Sequence, residues 1–489
     1  MRSVEEDVLR DHCGIAGVFD PTGQIDIAQY LVIALNALQH RGQESAGIAL
    51  LLPDGDIDAH TGMGRVRDVF PHGAHSSSQV HFGIGHVRYS TSGSSAVENA
   101  APFVLRSHCR LLYDSLALAH NGNVMNVASL RHEVKQIPLR SETDSEVIAA
   151  LLLEQVGLPM EQRIRHVAHR LRGAYSLVLL ADGCLYGVRD PYGMRPLCLG
   201  RLGAGWMLAS ETCALDRVGA TFEREINPGE VVRIDSSGRV SLSSIGNRSH
   251  SALCIFEYIY FSDATSQLRG QNVYSVREEL GRQLAREYPA DADLVVPIPQ
   301  TAIPIALGYA EESGLPYAEP IIASRYADRS FIKPDQRLRQ LEVDLKFNIV
   351  RSKVEGKRLV VVDDSIVRGN TPSILIRSLR RLGAKEVHVR IGSPPLKHPC
   401  YFGIDIPTET ELIASNHSVD QIAEYINATS LGYLSLEGLA RATGALTDLD
   451  HPEAALHRQF CYGCLARQGY PFPITDRHQS QAKLPATTL

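Results

Sequence analysis

No apolar run in this 489-residue chain approaches the roughly 18 residues that a membrane-spanning helix needs, so no membrane partner is expected. The opening segment MRSVEEDVLRDH is acidic and has no apolar stretch, which excludes both a secretory signal and a transit peptide. No run of like charge occurs. Lys+Arg 49 against Asp+Glu 55 leaves a formal net charge of −6, so composition points to no nucleic-acid partner. Local basic loops that grip a small phosphorylated substrate remain compatible with this balance. A cytoplasmic setting follows, where thiols stay reduced. The nine cysteines are therefore read as core residues, metal ligands or a nucleophile rather than as disulfides. Internal repeats are also lacking.

What is present can fill at least two cores, with 44% hydrophobic residues and a length that predicts about two to four domains. The first half carries short apolar strands between Gly-rich turns, at 15–19, 47–52, 82–87, 116–120 and 174–180. Helical periodicity appears at 27–39 and 143–155, and the second run opens on Thr143-Asp144-Ser145-Glu146 with capping-box spacing. Strands clustered with few helices between them predict a sheet-rich α+β domain. From about residue 270 the rhythm changes to helix 273–288, strand 293–299, helix 302–312, strand 357–364, helix 372–383 and strand 385–391. That alternation predicts a parallel sheet with crossover helices. Residues 324–348 are polar and Arg-rich, as suits a mobile loop; 236–249 has the composition of a linker, and the tail from 475 that of a disordered segment.

Cys13 stands immediately before the first strand, in Cys13-Gly14-Ile15-Ala16-Gly17-Val18-Phe19. A lone cysteine there is ordinarily a small core residue. Three further strings, however, place glycines and polar groups at strand ends, where they are costly unless they face a ligand. They are His40-Arg41-Gly42-Gln43-Glu44-Ser45-Ala46-Gly47, Gly85-His86-Val87-Arg88-Tyr89-Ser90-Thr91-Ser92-Gly93 and His120-Asn121-Gly122-Asn123. At these residues, from 13 to about 245, the chain resembles the N-terminal-nucleophile glutaminase domain of the glutamine phosphoribosylpyrophosphate amidotransferase family.

The resemblance implies an αββα sandwich in which Cys13 attacks the glutamine carboxamide and its own α-amino group is the base. An α-amine, with a pKa near 8, exchanges the thiol proton far more readily at neutral pH than a lysine does. A peptide bond before Cys13 would remove that base, so residues 1–12 are expected to be a propeptide. Asn121 and Gly122 match the family's oxyanion hole, Arg88 its clamp on the glutamine α-carboxylate, and Asp144 its partner for the α-ammonium. Taken singly, these are also a core turn, a surface Arg and a helix-cap Asp.

In the second half, Val360-Val361-Val362-Asp363-Asp364-Ser365-Ile366-Val367-Arg368-Gly369-Asn370-Thr371 follows a strand and opens a helix. Backbone amides there can cradle a phosphate, with Ser365, Arg368, Gly369 and Thr371 as substrate contacts. The string resembles the type I phosphoribosyltransferase signature and implies an α/β domain over 246–474 with a tail at 475–489. By the same resemblance Thr301, in Pro297-Ile298-Pro299-Gln300-Thr301, joins Asp363 and Asp364 around a Mg²⁺-bound diphosphate, and Arg325 to Arg339 forms a lid. Gln300, Asn370 and Asp344 depart from residues usual in the family. Three such changes at one site keep open a paralogue that aminates a related phosphosugar.

Cys461-Tyr462-Gly463-Cys464 is a C-x₂-C pair compatible with zinc or a redox couple. With Cys254 and Cys400 it matches the ligand positions of a [4Fe–4S] cluster in the cluster-bearing branch of the family, structural zinc being the alternative. Cys109, Cys184, Cys198 and Cys213 are expected to be core. The resemblance as a whole implies glutamine and phosphoribosyl diphosphate giving 5-phosphoribosylamine, the first step of purine synthesis. It also implies purine nucleotide inhibitors and a homotetramer or dimer. A hexosamine-phosphate synthase fits the first half but not the VVVDDSIVRGNT loop. A non-catalytic regulatory homologue remains a third alternative.

Overall fold

Alternation along β1 (Gly14–Phe19) sets the layering of the first half. Ile15 and Phe19 enter one apolar cluster and Ala16 and Val18 another, so both faces of the strand are buried. A computed structural model describes residues 13–89, 94–106, 115–246, 250–323, 347–404, 408–446 and 451–474. The expected propeptide 1–12, the expected lid from Arg325 to Arg339, Asp344, Cys109 and the expected tail from 475 lie outside the described residues.

Twelve further strands build two antiparallel sheets around β1. They are β2 (Ser45–Leu51), β3 (Ile57–Met63), β4 (Phe82–Arg88), β5 (Phe103–Arg106), β6 (Ser115–Val124), β7 (Gly173–Ala181), β8 (Cys184–Arg189), β9 (Cys198–Leu202), β10 (Gly205–Ala209), β11 (Thr221–Glu225), β12 (Glu230–Ile234) and β13 (Val240–Ser244). One sheet runs β11-β9-β10-β1-β4-β2-β3, the other β13-β12-β8-β7-β6-β5. The inner cluster joins Ile15, Phe19 and Ile84 of the first sheet to Ala119, Val178 and Leu185 of the second. Helices Ile27–Ala37 and Thr212–Arg217 cover the outer face of the first sheet. Asp144–Leu153 and Met160–Ala168 cover that of the second. The result is the αββα sandwich.

Two expectations are corrected here. The segment 236–249 is not simply a linker: β13 occupies Val240–Ser244 and pairs along its length with β12. Its edge position and polar composition, with Leu242 59% exposed, hid it, because one face of an edge strand needs no apolar residues. The capping box at 143–146 is half formed. Thr143 Oγ1 accepts from the Glu146 amide at 3.3 Å, but the Glu146 carboxylate accepts from the Arg140 and Ser141 amides instead of reaching back.

The second half holds a four-stranded parallel sheet in the order Leu294–Pro297, Arg358–Asp363, Glu386–Ile391, Ser430–Tyr433. The last strand was not expected. Helices Val273–Glu287, Ile303–Ser313 and Asn370–Arg381 fall close to the expected ranges. The carboxyl ends of the first two strands lead directly into the loops at 298–302 and 364–369. Such a crevice above adjoining parallel strands is where this architecture binds ligands. At the junction of the halves, Leu253–Cys254 pairs in parallel with Phe460–Cys461, and Glu257–Phe261 forms a π-helical turn. No helix among the described residues is long and apolar enough to cross a membrane.

Candidate active site

The end of β1, the adjoining end of β4, and β6 from the opposite sheet bring the first set of predicted residues together. Cys13, Arg88, Gly122 and Asp144 line one small cavity, with His86, Tyr89, His120 and Ser145. Cys13 is 7% exposed, and its Sγ lies 3.6 Å from the Tyr89 carbonyl. Burial pushes this thiol up to about 11, against the pull of the Tyr89 backbone and of Arg88, so at neutral pH it is protonated and needs a base.

Asn121 is fully buried, and among the described residues neither its Nδ2 nor its Oδ1 has a hydrogen-bond partner. An amide left so in a core costs about 1–3 kcal/mol, so a ligand that accepts from it recovers that cost on binding. Gly122 has φ +152°, and a Cβ there would sit 2.0 Å from the Ala174 carbonyl oxygen, so only glycine fits at this point of β6. Asp144 begins its helix, accepts from the Val124 amide at 2.9 Å and lies 3.6 Å from His120 Nδ1. Burial raises its pKa, but His120 and the amide outweigh burial and hold it below the usual carboxylate range. Arg88 is 4% exposed, with Nη1 donating to the Ser94 carbonyl at 3.2 Å. A buried cation and a buried anion lining one small cavity suit a zwitterionic amino acid.

His86 and His120 are site residues that sequence reasoning quoted without a role. His86 Nε2 lies 3.0 Å from the His120 carbonyl, while among the described residues His86 Nδ1 and His120 Nε2 have no hydrogen-bond partner. Burial drives the His86 pKa down to about 3, so this ring is neutral at physiological pH.

Arg41 Nε donates to the Cys13 carbonyl at 3.2 Å. Its terminal nitrogens bind Glu211 at 2.6 Å and Glu257 at 2.9 and 3.0 Å. All three side chains are at most 1% exposed. Glu257 comes from the junction turn, 216 positions away, and no periodicity could have announced the pair. Removing one partner strands a buried charge. Glu257→Ala should therefore lower stability by about 3–5 kcal/mol, measured by denaturant unfolding; a midpoint unchanged from the parent would mean the network contributes nothing net.

The second predicted set gathers at the parallel sheet. The Ile298 amide donates to the Val362 carbonyl at 2.9 Å, which ties the loop containing Thr301 to the strand that ends at Asp363. Asp363 Oδ1 accepts from the Asp364 amide at 2.9 Å, and Ser365 Oγ donates to Asp364 Oδ1 at 2.7 Å. Burial pushes the Asp364 carboxyl up to about 6, with Ser365 and Arg277 opposing, a strain that a cation would relieve. Gly369, at φ +80°, caps the helix that Asn370 and Thr371 begin. Arg368 Nη2 pairs with Glu411 at 3.0 Å. Asn370, one of the departures, accepts at Oδ1 from the Tyr425 hydroxyl at 3.1 Å, so its amide is anchored at the helix start.

Cys254, Cys400, Cys461 and Cys464 line a further small cavity, with Met194, Arg195, Phe402, Ile404 and Tyr470. Burial and then the neighbouring thiols push the Cys461 and Cys464 pKa values well above the ordinary thiol range, which a soft metal centre would reverse. Among the described residues no His, Cys, Asp or Glu group has ready-made metal-ligating geometry. The donor set itself, four thiols around an apolar void, fits an iron–sulfur or zinc centre. Cys184, Cys198 and Cys213 are buried in the cores, as expected.

The first half alone defines a glutamine amidotransferase, and a model of the glutamine amidotransferase domain matches residues 107–217. Over 473 residues the chain is 44% identical to an amidophosphoribosyltransferase of Methanothermobacter thermautotrophicus, covering 96% of each protein. With that of Rattus norvegicus it shares 44% over 469 residues, 89% of this chain and 90% of the relative. A solved glutamine phosphoribosylpyrophosphate amidotransferase from B. subtilis, complexed with ADP and GMP, superposes with a TM-score of 0.85 at 40% identity, covering 95% of this chain and 98% of that one. The chain belongs to the amidophosphoribosyltransferase family. Its fold is accordingly an N-terminal-nucleophile sandwich followed by a type I phosphoribosyltransferase domain.

Proposed function

We propose that the protein releases ammonia from glutamine at Cys13 and transfers it to phosphoribosyl diphosphate, yielding 5-phosphoribosylamine, glutamate and diphosphate. The observation that carries this is the cavity that Cys13 shares with Arg88, Gly122 and Asp144, beside an Asn121 amide with no hydrogen-bond partner among the described residues. In this proposal Arg88 takes the glutamine α-carboxylate and Asp144 its α-ammonium. Cys13 Sγ attacks the carboxamide carbon while its free α-amine receives the thiol proton, then returns it to the leaving ammonia. Asn121 Nδ2 and the Gly122 amide stabilise the tetrahedral oxyanion. Water releases glutamate from the thioester, and ammonia displaces diphosphate at the anomeric carbon.

In the second domain Ser365, Arg368, Gly369 and Thr371 hold the 5-phosphate. Asp363, Asp364 and Thr301 are the residues that would hold Mg²⁺, which supplies charge neutralisation on the departing diphosphate. The four cysteines would hold a [4Fe–4S] cluster that staples the junction. The domains then run 13–245 and 246–474, after a 1–12 propeptide and before a tail at 475–489. A reduced, cytoplasmic setting, a homo-oligomer and inhibition by purine nucleotides belong to the same proposal. One of the solved neighbours is described as an allosteric regulatory enzyme of purine biosynthesis.

Steady-state synthesis with glutamine or ammonia, across a panel of phosphosugar diphosphates, tests the reaction. Phosphoribosyl diphosphate is expected to be the preferred acceptor. Preference for another sugar would favour the paralogue reading, for which the departures at Gln300 and Asn370 speak, and no turnover with any would overturn both. Intact-mass analysis of active protein should show a chain beginning at Cys13, since a preceding peptide bond would leave the thiol without its base. Anaerobically purified protein should carry an iron–sulfur absorption band, whereas zinc alone would overturn the cluster.

A further inference from the structure

The crossover between the third and fourth strands of the parallel sheet lies along the loop at 364–369 and the helix start that follows it, one contact after another. Glu411 pairs with Arg368 at 3.0 Å, and the Ile413 amide donates to the Val367 carbonyl at 3.0 Å. Gly369, at φ +80°, is closed in by the same segment: a Cβ there would lie 3.0 Å from Ile413 Cδ1 and 3.3 Å from Tyr425 Cε1. The Tyr425 hydroxyl then donates to Asn370 Oδ1 at 3.1 Å, across 55 positions of chain. The bracing segment is itself anchored. Ile413, Ala414, Ile422 and Ile426 share one buried cluster with Ile366, Leu375 and Ile376 from the loop and its helix. Tyr425 ends the helix Val419–Tyr425, whose start carries a complete capping box at Ser418 and Gln421. Tyr425 is 48% exposed, so the core does not rest on its side chain.

We infer that Tyr425 is a positioning residue for the sugar-phosphate substrate: it holds Gly369 and Asn370 so that the loop is preset to receive the 5-phosphate. Backbone amides at a helix start bind an anion only when they converge on one point. A loop fixed in that shape beforehand avoids the cost of being ordered on binding. Gly369 needs the brace most, since glycine has more backbone freedom to lose than any other residue. Asn370 departs from the residue usual in the family, and its Oδ1 is committed to Tyr425. The departure therefore changes how the loop is held and not which sugar it reads.

The inference rests on the 5-phosphate role proposed above for the loop, and the experiment separates the two. In Tyr425→Phe, which removes only the hydroxyl, KM for phosphoribosyl diphosphate should rise about fivefold, as the loss of one hydrogen bond does. Its kcat and its KM for glutamine should stay within about twofold of the parent, because the brace acts on binding and not on chemistry. Asn370→Ala should show the same rise in KM, and the double variant no more than either single one, since all three break one contact. The ranking of phosphosugar acceptors should stay that of the parent throughout. An unchanged KM in Tyr425→Phe, additive rises in the double variant, or a loss of kcat in place of the rise in KM would each overturn the inference. A changed acceptor ranking in Asn370→Ala would overturn it too, by making that side chain a reader of the sugar. If Thr371→Ala also leaves KM for phosphoribosyl diphosphate unchanged, the 5-phosphate role of the loop falls, and the inference with it.

Discussion

Cys13→Ala should abolish glutamine-dependent synthesis, with a loss of at least about 10³-fold, while synthesis from ammonia stays within about twofold of the parent. The substitution removes the only atom proposed to bond to the carboxamide carbon. It leaves the cavity wall in place, since Arg41 holds Cys13 through its backbone carbonyl rather than its side chain. Ammonia supplied from solution bypasses the first site altogether. Parallel assays with glutamine and with ammonium salts at alkaline pH decide the matter. A variant that still uses glutamine would place the nucleophile elsewhere, and one that lost both activities would make Cys13 a structural residue.

The converse pattern is expected on the other side of the molecule. Asp363→Asn combined with Asp364→Asn should cut synthesis by about 10²–10³-fold with either nitrogen donor, as the loss of groups that stabilise charge in a transition state does. Basal glutamine hydrolysis should persist. The fold should persist as well: Asp364 is buried and its carboxyl is pushed up to about 6, so neutralising it relieves an unfavourable burial. Isothermal titration with Mg²⁺ and phosphoribosyl diphosphate, alongside both assays, provides the check. Unaltered substrate binding and turnover would remove both aspartates from the metal site.

These opposite outcomes follow from a division that was largely legible in the chain. Short apolar runs at 15–19 and 82–87 announced strands, and the βα rhythm after residue 270 announced the parallel sheet. The motifs around 13, 88, 120–123 and 144 contain Cys13, Arg88, His120, Gly122 and Asp144, which the structure brings to one cavity. Less legible were the short edge strands. In β11 and β13 the outward residues are polar or exposed, so composition alone made β13 look like a linker. The helix start at Thr143 was read correctly, but not the turn of Glu146 toward the preceding loop, because amides of an irregular segment have no periodicity.

By itself the sequence determined the order of the two halves, the place of Cys13 ahead of a strand, and the residue types each candidate site holds, because these depend on local periodicity and contiguous motifs. Only the tertiary structure decided how the halves are joined. Arg41 meets Glu257, Asn123 meets Tyr401, and four cysteines drawn from three distant segments line one void. Each of these contacts links positions too far apart for any pattern in the chain to couple. They exist because burying the junction leaves no water to satisfy the charges and amides trapped there, so those groups must satisfy one another.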